Sequence, residues 1–261
     1  MYANNQLGEQ SIEDYVANRQ PGTKDCMGPL IDYRDENGEP LPLPSLQIEA
    51  NMMLVGGTDT TSTTTAYTAW EIARNPNIQE TLFKELKSAF PDPKSPISLK
   101  DAEKLSYLTQ CLKEGLRMHT VLPGPTCRVV PDTGASLCGY DMPPGVSYFD
   151  YSRLIRQAIT FVQAHTAHYD PSVYAYPEIF EPTRWTDETQ QMRNNFLPFS
   201  AGPRICLGMN LAYMEMRVML AHLFRNYYVT VPSECDMTKL EFLLVQPKSG
   251  KCILHLTPRT E

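Results

Sequence analysis

The chain has 261 residues, 42% of them hydrophobic, and a formal net charge of −7. That supplies a real core for one large domain or two small ones, and the acidic balance counts against nucleic acid, because phosphate binding wants a basic face. Seven cysteines without a C-x-x-C pair read as reduced thiols in an intracellular setting, not a disulfide framework or a zinc site.

Residues 1–43 are polar and turn-rich, and the opening MYANNQLGEQ lacks the apolar core of a signal peptide. No run is long and apolar enough for a membrane-spanning helix. A helix is predicted from Ser45 to Arg74, with Ile48, Met52, Val55, Tyr67, Trp70 and Ile72 as its apolar positions and Pro76 just past its end. Its centre, GGTDTTSTTTA, is poor in helix formers, and threonine hydroxyls compete for backbone carbonyls. Such a weak spot marks close backbone packing or a distortion with a use. Asn77 to Phe90 is an amphipathic helix, Ser98 with Asp101 reads as a capping box, and another helix covers Tyr107 to His119. Short strands follow in TCRVV and ASLCGY, then a proline-rich connection through YPEIFEPTRW. A helix after Cys206 runs to about Phe224, and KLEFLLVQPKSGKCILHLTPR reads as a terminal hairpin turning at Pro247 to Gly250. The fold class is mainly α with small antiparallel β-sheets.

Cys206 stands where a glycine-bearing loop becomes a helix, in FLPFSAGPRICLGMNLAYMEMR. Unpaired N–H groups and the helix dipole favour a thiolate there, although a single cysteine is more often a buried structural one. His119, His165 and His168 lack metal-ligand spacing and read as surface or satisfied core. Met209, Met214, Met216 and Met219 read as helix packing.

Phe199, Gly202, Arg204, Cys206 and Gly208 form F-x-x-G-x-R-x-C-x-G, which resembles the heme-binding loop of the cytochrome P450 family. The resemblance implies heme as cofactor, Cys206 as the axial thiolate of its iron, Arg204 on a propionate and Phe199 beside the sulfur. Glu114 and Arg117 resemble the family's E-x-x-R, and Arg184 in FEPTRW the arginine that completes a buried triad; Thr183 stands where a glutamate is usual. GGTDTT resembles the oxygen-binding kink, where the helix opens locally, Thr60 hydrogen-bonds dioxygen or its water and Asp59 relays protons. Arg128 in PTCRVVP resembles the arginine of a second propionate.

The resemblance runs from Ser45 to the C-terminus and is to the C-terminal portion of the fold, in phrasing of the fungal microsomal type. Residues 1–43 are then the polar tail of a missing N-terminal half and 44–261 the heme-binding portion. Full-length relatives sit at the endoplasmic reticulum membrane through an N-terminal anchor absent here. Residues 146–163 read as a foreign insert between P-P-G and A-x-x-H-x-D-P, either a genuine loop or a translated intron. The implied function is a heme-thiolate monooxygenase, or its heme-binding half. It would use dioxygen and electrons from a flavoprotein reductase, docked on the cysteine side, to oxidise a small organic substrate in secondary metabolism or xenobiotic oxidation. The alternatives are a catalytically dead fragment or erroneous gene product, and a heme-thiolate isomerase or dehydratase; Asp59 and Thr60 favour oxygen activation over the last.

Overall fold

Proline and the apolar period set the helices. In the computed structural model the described residues are 12–20, 23–92, 95–128, 130–131, 133–137, 139–142 and 160–259. The chain divides into two units, Met1–Ser62 and Thr63–Glu261.

In the first unit a helix covers 12–18 (α1), followed by α2 (Gly28–Asp32) and most of α3, which as an element runs Leu43–Arg74. The polar opening segment is therefore more regular than its composition predicts. Asp25 caps α2 by accepting from the N–H groups of Met27 and Gly28 at 2.9 and 2.7 Å. Asp35 accepts from the N–H groups of Asn37 and Glu39 at 2.8 Å each, closing the turn that carries Gly38 at φ +80. Along α3, Ile48, Met52 and Val55 are all more than half exposed, against the expectation that they are core.

In the second unit, α3 ends at Arg74 and Pro76 opens α4 (Pro76–Ala89), where its missing N–H costs nothing. Then come α5 (Leu99–Ala102), α6 (Ser106–Met118), the strands β1 (Pro125–Arg128), β2 (Ala135–Leu137), β3 (Tyr140–Met142) and β4 (Thr160–Gln163), and α7 (Ala164–His168). A 3-10 turn, Pro182–Trp185, precedes α8 (Gln190–Asn195) and α9 (Met209–Asn226). The chain closes with β5 (Tyr227–Thr230), β6 (Lys239–Glu241), β7 (Val245–Pro247) and β8 (His255–Pro258). The core packs α4, α6 and α9 through Leu82, Leu86, Leu108, Leu112, Leu220 and Phe224, all inaccessible to solvent. Met216 joins it, whereas Met219, expected to pack, is 53% exposed.

Side chains finish what the elements leave open. Glu85 of α4 accepts from the N–H groups of Tyr107 and Leu108, capping α6 from a neighbouring helix. Buried Gln79 pairs both ways with the backbone of Val229, at 2.9 and 2.7 Å, so its amide stands in for a strand neighbour of β5. Buried Arg225 donates to the carbonyls of Phe90 and Pro91, closing the end of α4.

Among the described residues every sheet is a two-stranded antiparallel pair: β1 with β4, β2 with β3, β5 with β8, β6 with β7. The expected terminal hairpin is thus wrong in its partners. Pro247 to Gly250 does turn, with Gly250 N–H on the Pro247 carbonyl at 2.9 Å and φ +71. But β7 turns back on β6, while β8 crosses to β5, where Tyr228 faces Thr257. The expected capping box is also incomplete. Ser98 occupies the N-cap of α5 without a side-chain cap bond. Of the expected insert, 146–159 lie outside the described residues, and 160–163 form β4, opposite β1.

Candidate functional site

The chain enters the thiol loop from α8 and leaves it into α9. Its backbone is tied in three places: Ser200 N–H on the Leu197 carbonyl at 3.1 Å, Ile205 N–H on Gly202 at 3.1 Å, and Cys206 N–H on Phe199 at 2.9 Å. Ser200 and Gly202 take positive φ, 64 and 73, so the reversal demands the left-handed region twice. Phe199 packs its ring on Tyr213 of α9, centroids 5.2 Å apart. Gly208 is the N-cap of α9. With no side-chain cap there, the first-turn N–H groups lie just beyond Cys206.

Every residue from Ala201 to Gly208 is exposed. Leu207 is 92% exposed and Ile205 49%, apolar side chains left open or half open among the described residues. The Cys206 thiol is free and exposed, and no described residue bonds the Arg204 side chain.

Behind the loop lies a buried ionic network. Glu114 and Arg117, one turn apart on α6, are both fully buried and pair in a fork: Arg117 Nε on Glu114 Oε2 at 2.9 Å and Nη2 on Oε1 at 2.7 Å. Arg184 donates its Nε to Glu114 Oε1 at 2.8 Å. The indole N–H of Trp185 and the backbone N–H of Glu181 also reach this carboxylate, at 2.9 and 3.1 Å. One carboxylate thus faces two guanidinium groups. The surplus positive charge is met by carbonyls: His168 for Arg117 at 2.9 Å, and Ala175 and Ile179 for Arg184 at 2.9 and 3.2 Å. Thr183, the departure from the usual glutamate, gives its hydroxyl and N–H to Glu181 and leaves these bonds intact.

His168 joins the network to the thiol loop. Its Nε2 accepts the Leu197 N–H at 2.8 Å, which puts the ring proton on Nδ1, facing the Arg117 carbonyl at 3.1 Å and Thr120 Oγ1 at 2.7 Å. Burial pushes its pKa down to about 3, so the ring is neutral. His119 is likewise buried and lowered chiefly by burial; it stacks on Tyr67 with centroids 4.5 Å apart and meets Glu71 at 3.0 Å.

Asp59 and Thr60 belong to the first unit. There α3 stays helical through 56–61 instead of opening. The local disturbance is a side-chain one: Thr60 Oγ1 donates to the Gly56 carbonyl at 2.6 Å, and Ser62 Oγ to Thr58 at 2.7 Å. A Cβ on Gly56 or Gly57 would meet nothing within 4 Å, so close packing does not explain these glycines among the described residues. Arg128 sits in β1 opposite Thr160, its side chain outside the described residues.

Trp185 and His168 were not legible as partners of this network. A tryptophan after Arg184 reads as core, and the only available signal is that a buried indole N–H needs an acceptor. Gly115, inside KEGLR, was missed as well. A Cβ there would lie 2.0 Å from Thr68 Oγ1, so the α3–α6 crossing demands glycine.

A profile of the cytochrome P450 family matches residues 5–254. The chain is 34% identical over 224 residues to the cytochrome P450 monooxygenase aneF of Aspergillus aculeatus, covering 84% of this chain and 43% of that protein. It is also 34% identical to human cytochrome P450 4F8, covering 82% and 40%, and 32% identical to the cytochrome P450 monooxygenase macH of Penicillium terrestre, covering 98% and 50%. It therefore spans about half the length of these relatives or less. A crystallised cytochrome P450, CYP102L1, superposes with a TM-score of 0.80 at 21% identity, over 99% of this chain and 56% of the other.

Proposed function

Because the chain belongs to the cytochrome P450 family, we propose that it is the heme-binding portion of a heme-thiolate monooxygenase, with Cys206 as the iron ligand. The observation that carries this reading is an exposed thiol at the end of a loop tied back on itself, flanked by half-exposed Ile205 and exposed Leu207. A large planar apolar group with acidic edges fits these residues: the side chains of Ile205 and Leu207 offer apolar area, Arg204 a cation and Cys206 a soft ligand. Phe199, held by Tyr213, would shield the sulfur from water; Gly202 and Gly208 leave backbone without side chains around it. Arg204 and Arg128 would neutralise the two propionates. Bound heme would supply dioxygen activation and oxygen-atom transfer to a small organic substrate.

Asp59 and Thr60 would deliver protons. The Thr60 hydroxyl donates to the Gly56 carbonyl at 2.6 Å, so in this role it would turn from that carbonyl to a bound ligand. Electrons would come from a flavoprotein reductase at the cysteine side. The fungal microsomal type remains part of the proposal; aneF and macH come from fungi, while human 4F8 is equally similar.

The test is a reduced, carbon-monoxide difference spectrum of the heme-reconstituted chain beside Cys206→Ala. A thiolate-type band in the parent and its loss in the variant is the expected result. The same band in both overturns the assignment, and heme-free parent chain identifies a dead fragment.

A further inference from the structure

Two cysteines outside the proposed heme site are brought together by the β6–β7 hairpin. Lys239 faces Pro247 at the end of the ladder, and the pairing then continues past both strands. Lys248 N–H donates to the Thr238 carbonyl at 2.7 Å, and Ser249 Oγ to the Asp236 carbonyl at 2.8 Å. Further out lie Cys235 on the segment entering β6 and Cys252 on the segment leaving β7. Both are half-buried, and both pack against the one cluster formed by Tyr67, Met237 and Val245. Cys252 also contacts the Ala66 carbonyl at 3.8 Å. The tip of the same hairpin carries Phe242 and Leu243, 82% and 77% exposed.

We propose that Cys235 and Cys252 form a reversible dithiol–disulfide pair that clamps the base of this hairpin. The oxidant is a low-molecular-weight disulfide such as oxidised glutathione. The Cys235 sulfur attacks one sulfur of that disulfide, forming a mixed disulfide and releasing one glutathione thiol. The Cys252 sulfur then attacks Cys235, the Cys235–Cys252 bond forms, and the second glutathione thiol leaves. The two protein protons end on the two glutathione thiols, and the two electrons go to the glutathione disulfide. Burial, with Cys235 alongside, pushes the Cys252 thiol up to about 12, which makes it the second thiol to react. Tying these residues closes the chain through β6 and β7, and a disulfide around a loop of that size disfavours opening by roughly a hundredfold.

The experiment uses the full chain, equilibrated over a range of reduced-to-oxidised glutathione ratios, alkylated, digested and read by mass spectrometry. The expected result is one linked peptide pair, Cys235 with Cys252, reversed by dithiothreitol. Chymotrypsin cleavage after Phe242, scored on reducing gels, should slow by up to about a hundredfold on oxidation. Cys235→Ser and Cys252→Ala should each abolish both effects while leaving cleavage of the reduced chain unchanged. The proposal is overturned if both thiols stay alkylatable at every ratio while exposed Cys26 and Cys206 form mixed disulfides. It is equally overturned if the link forms and cleavage is unaltered.

Discussion

Replacing Glu114 with glutamine keeps the size of the side chain and deletes its charge. The consequence follows from the donor count. Five N–H groups converge on this carboxylate: two from Arg117, one from Arg184, the Trp185 indole and the Glu181 amide. A carboxylate has only acceptor sites to offer them. A glutamine amide turns one oxygen into an NH₂ group, which points donors at donors. It also leaves Arg117, with no exposed area, and Arg184, 10% exposed, without a countercharge. Breaking a buried pair in this way costs about 3–5 kcal/mol, a large part of the roughly 5–15 kcal/mol that holds an ordinary domain folded. Urea unfolding followed by tryptophan fluorescence should show the midpoint of Glu114→Gln falling accordingly, with low soluble yield. Arg184→Ala should cost a comparable amount, and the double variant much less than the sum, because both remove the same interaction. A loss below about 1 kcal/mol in each single variant, or simple additivity, would refute the claim that these residues act as one unit.

Gly115→Ala should destabilise by roughly 1–3 kcal/mol, since its Cβ would lie 2.0 Å from Thr68 Oγ1 and 2.9 Å from two carbons of a stiff β-branched side chain; Thr68→Ser in the same chain should not relieve the oxygen contact, and unfolding midpoints check both. Acid should weaken the fold through His168: its folded pKa of about 3 lies below the ordinary 6.5, so the unfolded chain takes up the proton first. Stability is then complete above pH 6.5 and falls toward pH 3, by about 1.4 kcal/mol per pH unit from this group; His168→Gln should flatten the slope measured just below 6.5, before carboxylates titrate. On the proposed function, in a full-length enzyme carrying this portion, supplied with heme, reductase and substrate, Thr60→Ala should keep the carbon-monoxide band while product per electron consumed drops and peroxide rises; unchanged coupling would leave Thr60 a packing residue.

What the sequence made legible is what short-range physics decides. The apolar period and Pro76 placed α3 and α4 to within a residue or two, because a helix is closed by bonds four residues apart. The turn at Gly250 was legible too, since its φ of +71 selects glycine. Strand partners were not. The β7–β8 segment reads as one hairpin because its two arms are adjacent in sequence, yet β8 pairs with β5 across the whole β6–β7 excursion. Burial was half legible. The positions Tyr67 and Ile72 are fully covered, while Ile48, Met52 and Val55, equally well spaced, are not. Spacing marks an apolar face without saying what covers it. In the site, the contact of Glu114 with Arg117 and Arg184 was legible by resemblance, but the partners that complete it, Trp185, His168 and three backbone carbonyls, come from segments whose approach no local pattern encodes.

Those unforeseen partners give the network a purpose beyond stability. The Arg117 carbonyl faces His168 Nδ1, and His168 Nε2 takes the Leu197 N–H. Leu197 in turn accepts from Ser200, and Phe199 from Cys206. Four hydrogen bonds and a few residues of chain therefore lead from the end of the E-x-x-R turn to the thiol. The Phe196 ring reinforces the path, lying 5.7 Å from His168 and 4.9 Å from Trp185. Apart from this path, the exposed loop of eight residues is held by its own Ile205–Gly202 turn, by Phe199 on Tyr213 and by its run into α9. Loss of the Glu114 charge should then act on the thiol loop as well as on α6, through a side chain that touches neither Cys206 nor any group it would hold. Hydrogen exchange of the Cys206 and Ser200 amides in Glu114→Gln, read in mild conditions where the chain stays folded, separates the two effects. Faster exchange at both amides, with the β5–β8 amides unchanged, is the expected pattern. Uniform acceleration across the chain would reduce Glu114 to a determinant of global stability.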